Sequence, residues 1–564
     1  MSDDTPQGLA RGLTQYGDAG FALFLRRSFA RSMGYSTALL GQPTVGIASA
    51  ASDLNNCHRH FPELIDAVKR GVLAAGGLPL AFPTISLGEV FLHPTSLMYR
   101  NLMAMDVEEM CRAQPLDAVV LVGGCDKTVP AQLMGAASAG VPAIGLVAGP
   151  MLTARYGGER LGACTDCRRF WAKFRSAEID RAALDRVEAR LATTAGTCAV
   201  MGTASTMACI AEALGMLLPG TAAIPAVHAD RLRAAEATGR AAVELAHSRR
   251  TIDRIVTPAA VENALRVLLA VGGSTNAVIH LTAIAGRLGI TVSLARLNEL
   301  SDTTPVLVDL KPTGAHYMED FFAAGGMSAV LYELKSLLDL NCLTVTGERL
   351  GERLAVRPEG IDSTVIRSLA EPLHPVGGLV ALFGSLAPNG AILKRSAADA
   401  SLFEREGRAV VFASPSDLAA RIDDPALDVE PGDFLVMQNA GPRSGYGMPE
   451  AGYLPLPAKL ARAGVKDMVR ISDARMSGTA YGTVVLHVSP ESAAGGPLAL
   501  VRSGDRIRLS VRERRLDLEV NGAELARRQA EWQPPPLPAR GYQRLYAERV
   551  LQAEHGCDFD FLRA

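Results

Sequence analysis

The chain has 564 residues, 48% of them hydrophobic and 21% charged, a balance that excludes a disordered chain. At about 100–200 residues per domain, the length predicts two large domains or up to four smaller ones. Lys and Arg number 57 against 59 Asp and Glu, so the formal net charge is −2 and no nucleic-acid partner is expected.

The start, Met1-Ser2-Asp3-Asp4-Thr5-Pro6, lacks the basic and apolar segments of a secretion signal, and a cytoplasmic protein is expected. From about 40 to 220 the pattern is strand, loop, helix. Val45–Ala48 reads as a buried strand, followed by a polar loop over 52–60 and helical spacing over 61–75. Leu78–Ile85 is the next strand. Asp117–Val122 is another, running into Gly123-Gly124-Cys125-Asp126-Lys127 and a helix over Gln132–Ala139, then a strand over Val141–Val147. Alternation of this kind predicts an α/β fold with a parallel sheet, which gathers ligands beyond the carboxyl ends of its strands. Thr128–Ala154 carries no charge and is long enough to span a bilayer, but Pro130, Pro142 and Pro150 divide it into helix, strand and turn. It is read as buried core, and no membrane partner is expected.

Residues 178–375 are mostly helical in pattern, with amphipathic spacing over 182–192, 231–247 and 259–270. After that come short β-type runs at 410–412, 434–437 and 483–488. Ile507, Leu509 and Val511 alternate with polar residues, as do Leu516, Leu518 and Val520, which predicts a hairpin with one buried face. A boundary near 375 therefore separates an α/β domain with helical additions (1–375) from a β-rich, barrel-like domain (376–564). The Pro-rich run at 533–538 reads as a stiff linker to a C-terminal tail.

Nine cysteines, an odd number, argue against a disulfide framework. Cys57, Cys125 and Cys198 each lie in a polar or Gly-rich loop ahead of a predicted helix, a setting that favours thiolates. Three convergent thiolates could hold an iron–sulfur cluster with one iron left open as a Lewis acid. Their spacing alone fits small buried side chains equally well. Cys164-Thr165-Asp166-Cys167 is the one obvious CxxC; without a second pair it is not a structural zinc site, and a local structural or substrate-loop role is expected. Glu89, Asp126 and Glu450, together with Lys127, stand in or near loops of the same kind; hard carboxylate oxygens suit Mg²⁺, but by themselves these read as ordinary solvated loop acids. Ser477 precedes Gly478 in Ser472–Ala480, a turn that would expose its hydroxyl; there is no GxSxG elbow, and by itself it reads as a serine in an ordinary turn. His58 and His60 beside Cys57 read as supporting or surface groups, and no P-loop or dinucleotide fingerprint follows a strand.

Taken together, Asn55–His60, Gly123–Pro130, Gly196–Met207, Gly272–Ala277, Met318–Asp320, Gly384–Gly390, Gly447–Glu450, Ser472–Gly478 and His487–Glu491 resemble the family of dihydroxyacid, 6-phosphogluconate and sugar-acid dehydratases, over about 45–520. Ser86-Leu87-Gly88-Glu89, the CTDC segment and the tail Gly556–Leu562 look like the sugar-acid branch. The resemblance implies a hydro-lyase that takes a small sugar acid, a pentonate first, to its 2-keto-3-deoxy acid. It implies Cys57, Cys125 and Cys198 as ligands of a 2Fe–2S cluster, with 4Fe–4S the alternative. It further implies Glu89, Asp126, Glu450 and a carbamylated Lys127 as Mg²⁺ ligands, Ser477 as the base with Thr479 beside it, and a homodimer or homotetramer. Dihydroxyacid dehydration and hexonate dehydration are the competing activities.

Overall fold

The computed structural model describes residues 6–564, so the first five residues of the polar start lie outside the described residues. In the N-terminal half the strands are β1 (Thr44–Ser49), β2 (Leu78–Pro83), β3 (Ala118–Gly123) and β4 (Ala143–Val147), with a hairpin of β5 (Ala154–Tyr156) and β6 (Glu159–Leu161). The helices are α1 (Ala19–Ser32), α2 (Phe61–Ala74), α3 (Ser96–Ala113), α4 (Cys125–Ala139), α5 (Thr165–Arg175), α6 (Arg181–Leu191), α7 (Thr203–Ala213), α8 (Ala229–Ser248), α9 (Ile252–Ile255), α10 (Pro258–Ala270) and α11 (Asn276–Gly286). β1–β4 form one parallel sheet in the order β2-β1-β3-β4. β1, β3 and β4 are buried along their whole length, as near-continuous apolar strands covered on both faces should be.

Local chemistry accounts for the element ends. Thr257 caps α10 through its side chain and Pro258 opens it, where a missing N–H costs nothing. α2 and α8 cross closely at Gly71 and Gly239: a Cβ at Gly71 would strike the Glu236 carbonyl, and one at Gly239 the Val68 carbonyl. The largest departure from the sequence-based elements is α4. It starts at Cys125, seven residues ahead of the predicted Gln132, because Pro130 is accommodated inside the helix and the polar residues ahead of it are buried. The uncharged stretch 128–154 resolves into the rest of α4, β4 and loops. Among the described residues no helix is long and apolar enough to cross a membrane.

The C-terminal half is built on eight strands: β7 (Val380–Leu382), β8 (Gly390–Leu393), β9 (Glu404–Phe412), β10 (Phe434–Met437), β11 (Arg470–Ser472), β12 (Val484–Ser489), β13 (Arg506–Ser510) and β14 (Arg515–Leu518). Their order is β14-β13-β9-β10-β11-β12-β8-β7, parallel from β9 to β12 and antiparallel elsewhere. The two edges meet: Phe383, just past β7, donates from its N–H to the Arg514 carbonyl (2.9 Å) and accepts from the Leu516 N–H (2.8 Å). This nearly closed barrel leaves little free edge. The predicted hairpin is β13–β14, with Ile507 opposite Leu518 and Leu509 opposite Leu516.

Strand alternation divides the barrel's side chains. Val380, Leu382, Ala391 and Leu393 fill its interior, whereas Ala381 and Ile392 face outward into the core of the N-terminal half. The tail adds a second tie. Arg100 of α3 donates to the carbonyls of Gly556 (2.7 Å) and Cys557 (2.8 Å), and Arg287 grips Asp558 with two hydrogen bonds (2.5 and 3.0 Å), both side chains fully buried. Removing one partner of such a pair strands the other charge in a dry site, at a cost of about 3–5 kcal/mol. Arg287→Met is therefore expected to lower the thermal unfolding midpoint by several degrees. A midpoint within a degree of the parent would contradict the role given to the tail.

Candidate active site

The site forms where four strands end. Cys57 follows β1, Glu89 follows β2, and Cys125, Asp126 and Lys127 follow β3. Residues after β4 run beside the segment that carries Cys198: Thr197 donates to the Gly149 carbonyl and accepts from the Met151 N–H, both at 2.9 Å. The barrel supplies Glu450 from the loop after β10 and Ser477 from the loop after β11. Cys125 sits at φ 58°, a left-handed conformation that costs a non-glycine residue about 1–2 kcal/mol.

Glu89, Asp126 and Glu450 place ligand oxygens within 4.8 Å of one another. The fully buried Lys127 ammonium pairs with Asp126, with Glu89 at 2.8 Å and with Glu450 at 3.8 Å. Arg475, also fully buried, donates to Glu450 (2.6 Å), to both Glu89 oxygens (3.1 Å) and to Thr95 Oγ1 (2.7 Å). Three carboxylates thus face two cations. Burial opposes ionisation of Glu89, but the Arg475 and Lys127 charges outweigh it and hold its carboxyl well below the usual range. Glu450 is pushed upward by burial, which exceeds the pull of Arg475, with further repulsion from Glu89. The donor set fits a hard divalent cation, for which three carboxyl groups are already gathered. Lys127 as an ammonium has no lone pair to offer such a set and acts here as a counter-charge.

The thiols fall into two groups. Cys57 shares a hydrogen bond with Cys125, and this bond together with burial raises the Cys57 thiol well above its ordinary value. Cys125 in turn donates to Asp126 Oδ1 (3.4 Å), joining the thiols to the acid cluster. Cys198 Sγ lies 3.1 Å from Cys164 Sγ. Cys125 lines a small cavity together with Thr197, the residue before Cys198; no contact joins Cys198 to Cys57 or Cys125 among the described residues. His58 and His60 are buried rather than on the surface. Each binds a backbone carbonyl, Ala50 (2.7 Å) and Ala148 (2.9 Å), and burial lowers His58 to about 4.

Ser477 Oγ is 2.8 Å from Thr479 Oγ1, and Thr165 of the CTDC segment donates to the Thr479 carbonyl (3.0 Å). The turn fits because Gly478 has no side chain: a Cβ there would stand 2.7 Å from Ser274 and from the Thr203 backbone nitrogen. Nearby, Arg155, Arg160, Arg169, Lys311 and Tyr317 line an open groove of about 580 Å³. Asp166 accepts from Arg169 (2.9 Å) and Tyr317 (3.1 Å) at its inner side. Arg475 and Lys311 were not singled out by sequence reasoning. Arg475 carried one available signal, its place two residues before Ser477 in a segment already marked.

Comparison with known proteins identifies the family. The N-terminal dihydroxy-acid/6-phosphogluconate dehydratase domain matches residues 42–353 and the C-terminal domain of the same family matches 364–557. The chain belongs to the dihydroxy-acid/6-phosphogluconate dehydratase family. It is 48% identical to the L-arabonate dehydratase of Azospirillum brasilense over 96% of this chain and 94% of that protein. It is 47% identical to the L-arabinonate dehydratase of Rhizobium leguminosarum bv. trifolii (97% and 95%), and 45% identical to the 6-deoxy-6-sulfo-D-gluconate dehydratase of Pseudomonas putida (93% and 91%). A dihydroxy-acid dehydratase from Desulfosudis oleivorans stands at 38%. The chain therefore sits with the sugar-acid branch, as its motifs suggested.

The glycine at 478 gives a direct test in this dehydratase. Gly478→Ala must displace the Ser477 turn or the backbone at Thr203 and is expected to reduce turnover at least about tenfold, equivalent to ~1.4 kcal/mol in the barrier, with circular dichroism unchanged. Full activity in the folded variant would show that the turn tolerates displacement.

Proposed function

We propose that the chain dehydrates an aldonate, a pentonate such as L-arabinonate or D-xylonate in the first instance, to the 2-keto-3-deoxy acid. The observation that carries this reading is the three-carboxylate cluster drawn from both halves, hydrogen-bonded to Cys125 and held by Arg475, two residues before Ser477. Similarity to the arabinonate dehydratases selects the substrate class.

In this reading Cys57, Cys125 and Cys198 hold a 2Fe–2S cluster, with 4Fe–4S as the alternative. Glu89, Asp126, Glu450 and a carbamylated Lys127 hold Mg²⁺. Bound there, the two groups would supply Lewis acidity, at the substrate carboxylate and C2 hydroxyl on one side and at the departing C3 hydroxyl on the other. The protein's own part is proton handling and positioning. Ser477 Oγ takes the proton from C2; the C2–H electrons form the C2–C3 double bond as the C3–O bond breaks, and the hydroxide leaves as water once protonated. The enol then tautomerises to the ketone. A serine hydroxyl is far too weak an acid to act as base unaided, so positive charge in the pocket must stabilise its alkoxide. Thr479 Oγ1, at 2.8 Å, is placed to donate a hydrogen bond to it.

The protein is further proposed to be cytoplasmic and a homo-oligomer, dimer or tetramer. The exposed Phe21, Phe24 and Phe29 on α1 form an apolar surface of the kind such contacts cover.

Two measurements test the reading. A panel of pentonates, hexonates, a 6-sulfo-hexonate and a branched dihydroxy acid, assayed for 2-keto-acid formation, is expected to show a pentonate with the highest kcat/KM; preference for the branched acid would overturn the substrate class. In protein purified under argon, Ser477→Ala is expected to keep its visible iron–sulfur absorption and lose at least about a thousandfold in kcat, ~4 kcal/mol of barrier. Cys125→Ser is expected to lose the absorption itself, and an unchanged spectrum would refute the ligand set.

A further inference from the structure

Cys164 and Cys167 have no part in the dehydration chemistry, yet they stand against one of its residues. Cys164 occupies the N-cap of α5 with its sulfur 3.1 Å from Cys198, and Cys167, one turn along α5, packs with it against Met151, Ala163 and Ala199; burial raises both the Cys164 and the Cys167 thiol. All three cysteines are partly exposed, unlike Cys111, Cys209, Cys342 and Cys557, which are buried. The segment is held at several points: Asp166 accepts from the Gly162 N–H (2.8 Å), Thr165 donates to Thr479, and Ala199 N–H donates to the Ala163 carbonyl (3.0 Å). A disulfide has its sulfurs about 2.05 Å apart, so bond formation between Cys164 and Cys198 requires about an ångström of closure.

We propose that Cys164 and Cys167 are a redox-active dithiol that captures Cys198 as a disulfide under peroxide and returns it as a thiol by exchange. A captured Cys198 cannot ligate a cluster, a consequence that rests on the ligand set proposed above; the thiol chemistry does not. A peroxide oxidises the Cys198 sulfur to sulfenic acid and is itself reduced to water or an alcohol. The Cys164 sulfur attacks that sulfur; the S–S bond forms, the S–O bond breaks and water leaves with the Cys164 proton. The Cys167 sulfur then attacks Cys164, which breaks the bond to Cys198. Cys198 takes up the proton, and a Cys164–Cys167 disulfide remains for an external dithiol to reduce. Net, two thiols and one peroxide give one disulfide, and Cys198 is spared the irreversible step to sulfinic acid.

The test uses the full-length chain, without added iron and after loading with iron and sulfide under argon. Each form is exposed to hydrogen peroxide, quenched with an alkylating reagent and mapped by mass spectrometry without reduction. In the unloaded parent, the Cys164–Cys167 bond is the expected end product, with Cys198 alkylated. Cys167→Ser is expected to stop at the Cys164–Cys198 bond, and Cys164→Ser to show severalfold more sulfinic acid at Cys198. Absence of the Cys164–Cys198 bond in folded Cys167→Ser, or equal over-oxidation of Cys198 with and without Cys164, overturns the proposal. Loss of the visible spectrum in loaded Cys164→Ser would make Cys164 a ligand and overturn it too. Cys198→Ser separates the two ideas: if it keeps the iron–sulfur spectrum, the cluster assignment fails while the disulfide result stands.

Discussion

Negative charge removed from water is the constraint on which the rest of the molecule depends. Glu89 and Asp126 come from the parallel-sheet half and Glu450 from the barrel, and none could be brought near the others without counter-charge. Arg475 reaches both halves, contacting Glu450 on its own side and Glu89 across the interface. Lys127 closes the cluster from beneath. Taking each ion out of water costs several kcal/mol, and an apolar replacement of the whole cluster would often fold at least as well. The arrangement is therefore poorly explained as a stabilising device.

That demand shapes the scaffold around it. A parallel sheet brings several strand ends to one edge, so residues far apart in the chain (Cys57, Glu89, Cys125) meet without long loops. The barrel must then hold its own contribution in register. It does so by sharing a core: Ala381 and Ile392 point outward into the N-terminal packing while their strand neighbours point inward. Two further ties fix the join, the Gly478 turn pressed against Ser274 and Thr203, and the tail whose Asp558 is held by Arg287.

Which parts were legible in the sequence follows from the range of the interactions. β1, β3 and β4 announce themselves as uninterrupted apolar runs, and β13–β14 as a clean alternation, because burial on two faces or one is a local pattern. The start of α4 was hidden because Pro130 and the charged pair Asp126–Lys127 argue locally for a loop; tertiary burial overrides them. The family resemblance supplied the metal and thiol candidates, and the fold gathers Glu89, Asp126 and Glu450 tightly. It brings Cys57 to Cys125 but sets Cys198 against Cys164. That contact joins residues 34 apart beside the hydrogen bond from Ala199 N–H to the Ala163 carbonyl, which no spacing rule anticipates.

The same contact explains why a CxxC in this place need not be an electron-transfer site of the thioredoxin kind. In such motifs the two cysteines act on an external partner, with the first exposed at a helix N-terminus. Here Cys164 occupies the cap of α5, but its sulfur is turned toward Cys198, and the neighbouring Thr165 and Asp166 are tied to the Ser477–Thr479 turn and to the basic groove. The motif is thus built into the wall of the site. Its reactivity is directed at a residue of its own chain, and any change in its bonding is felt where substrate and cofactor would meet.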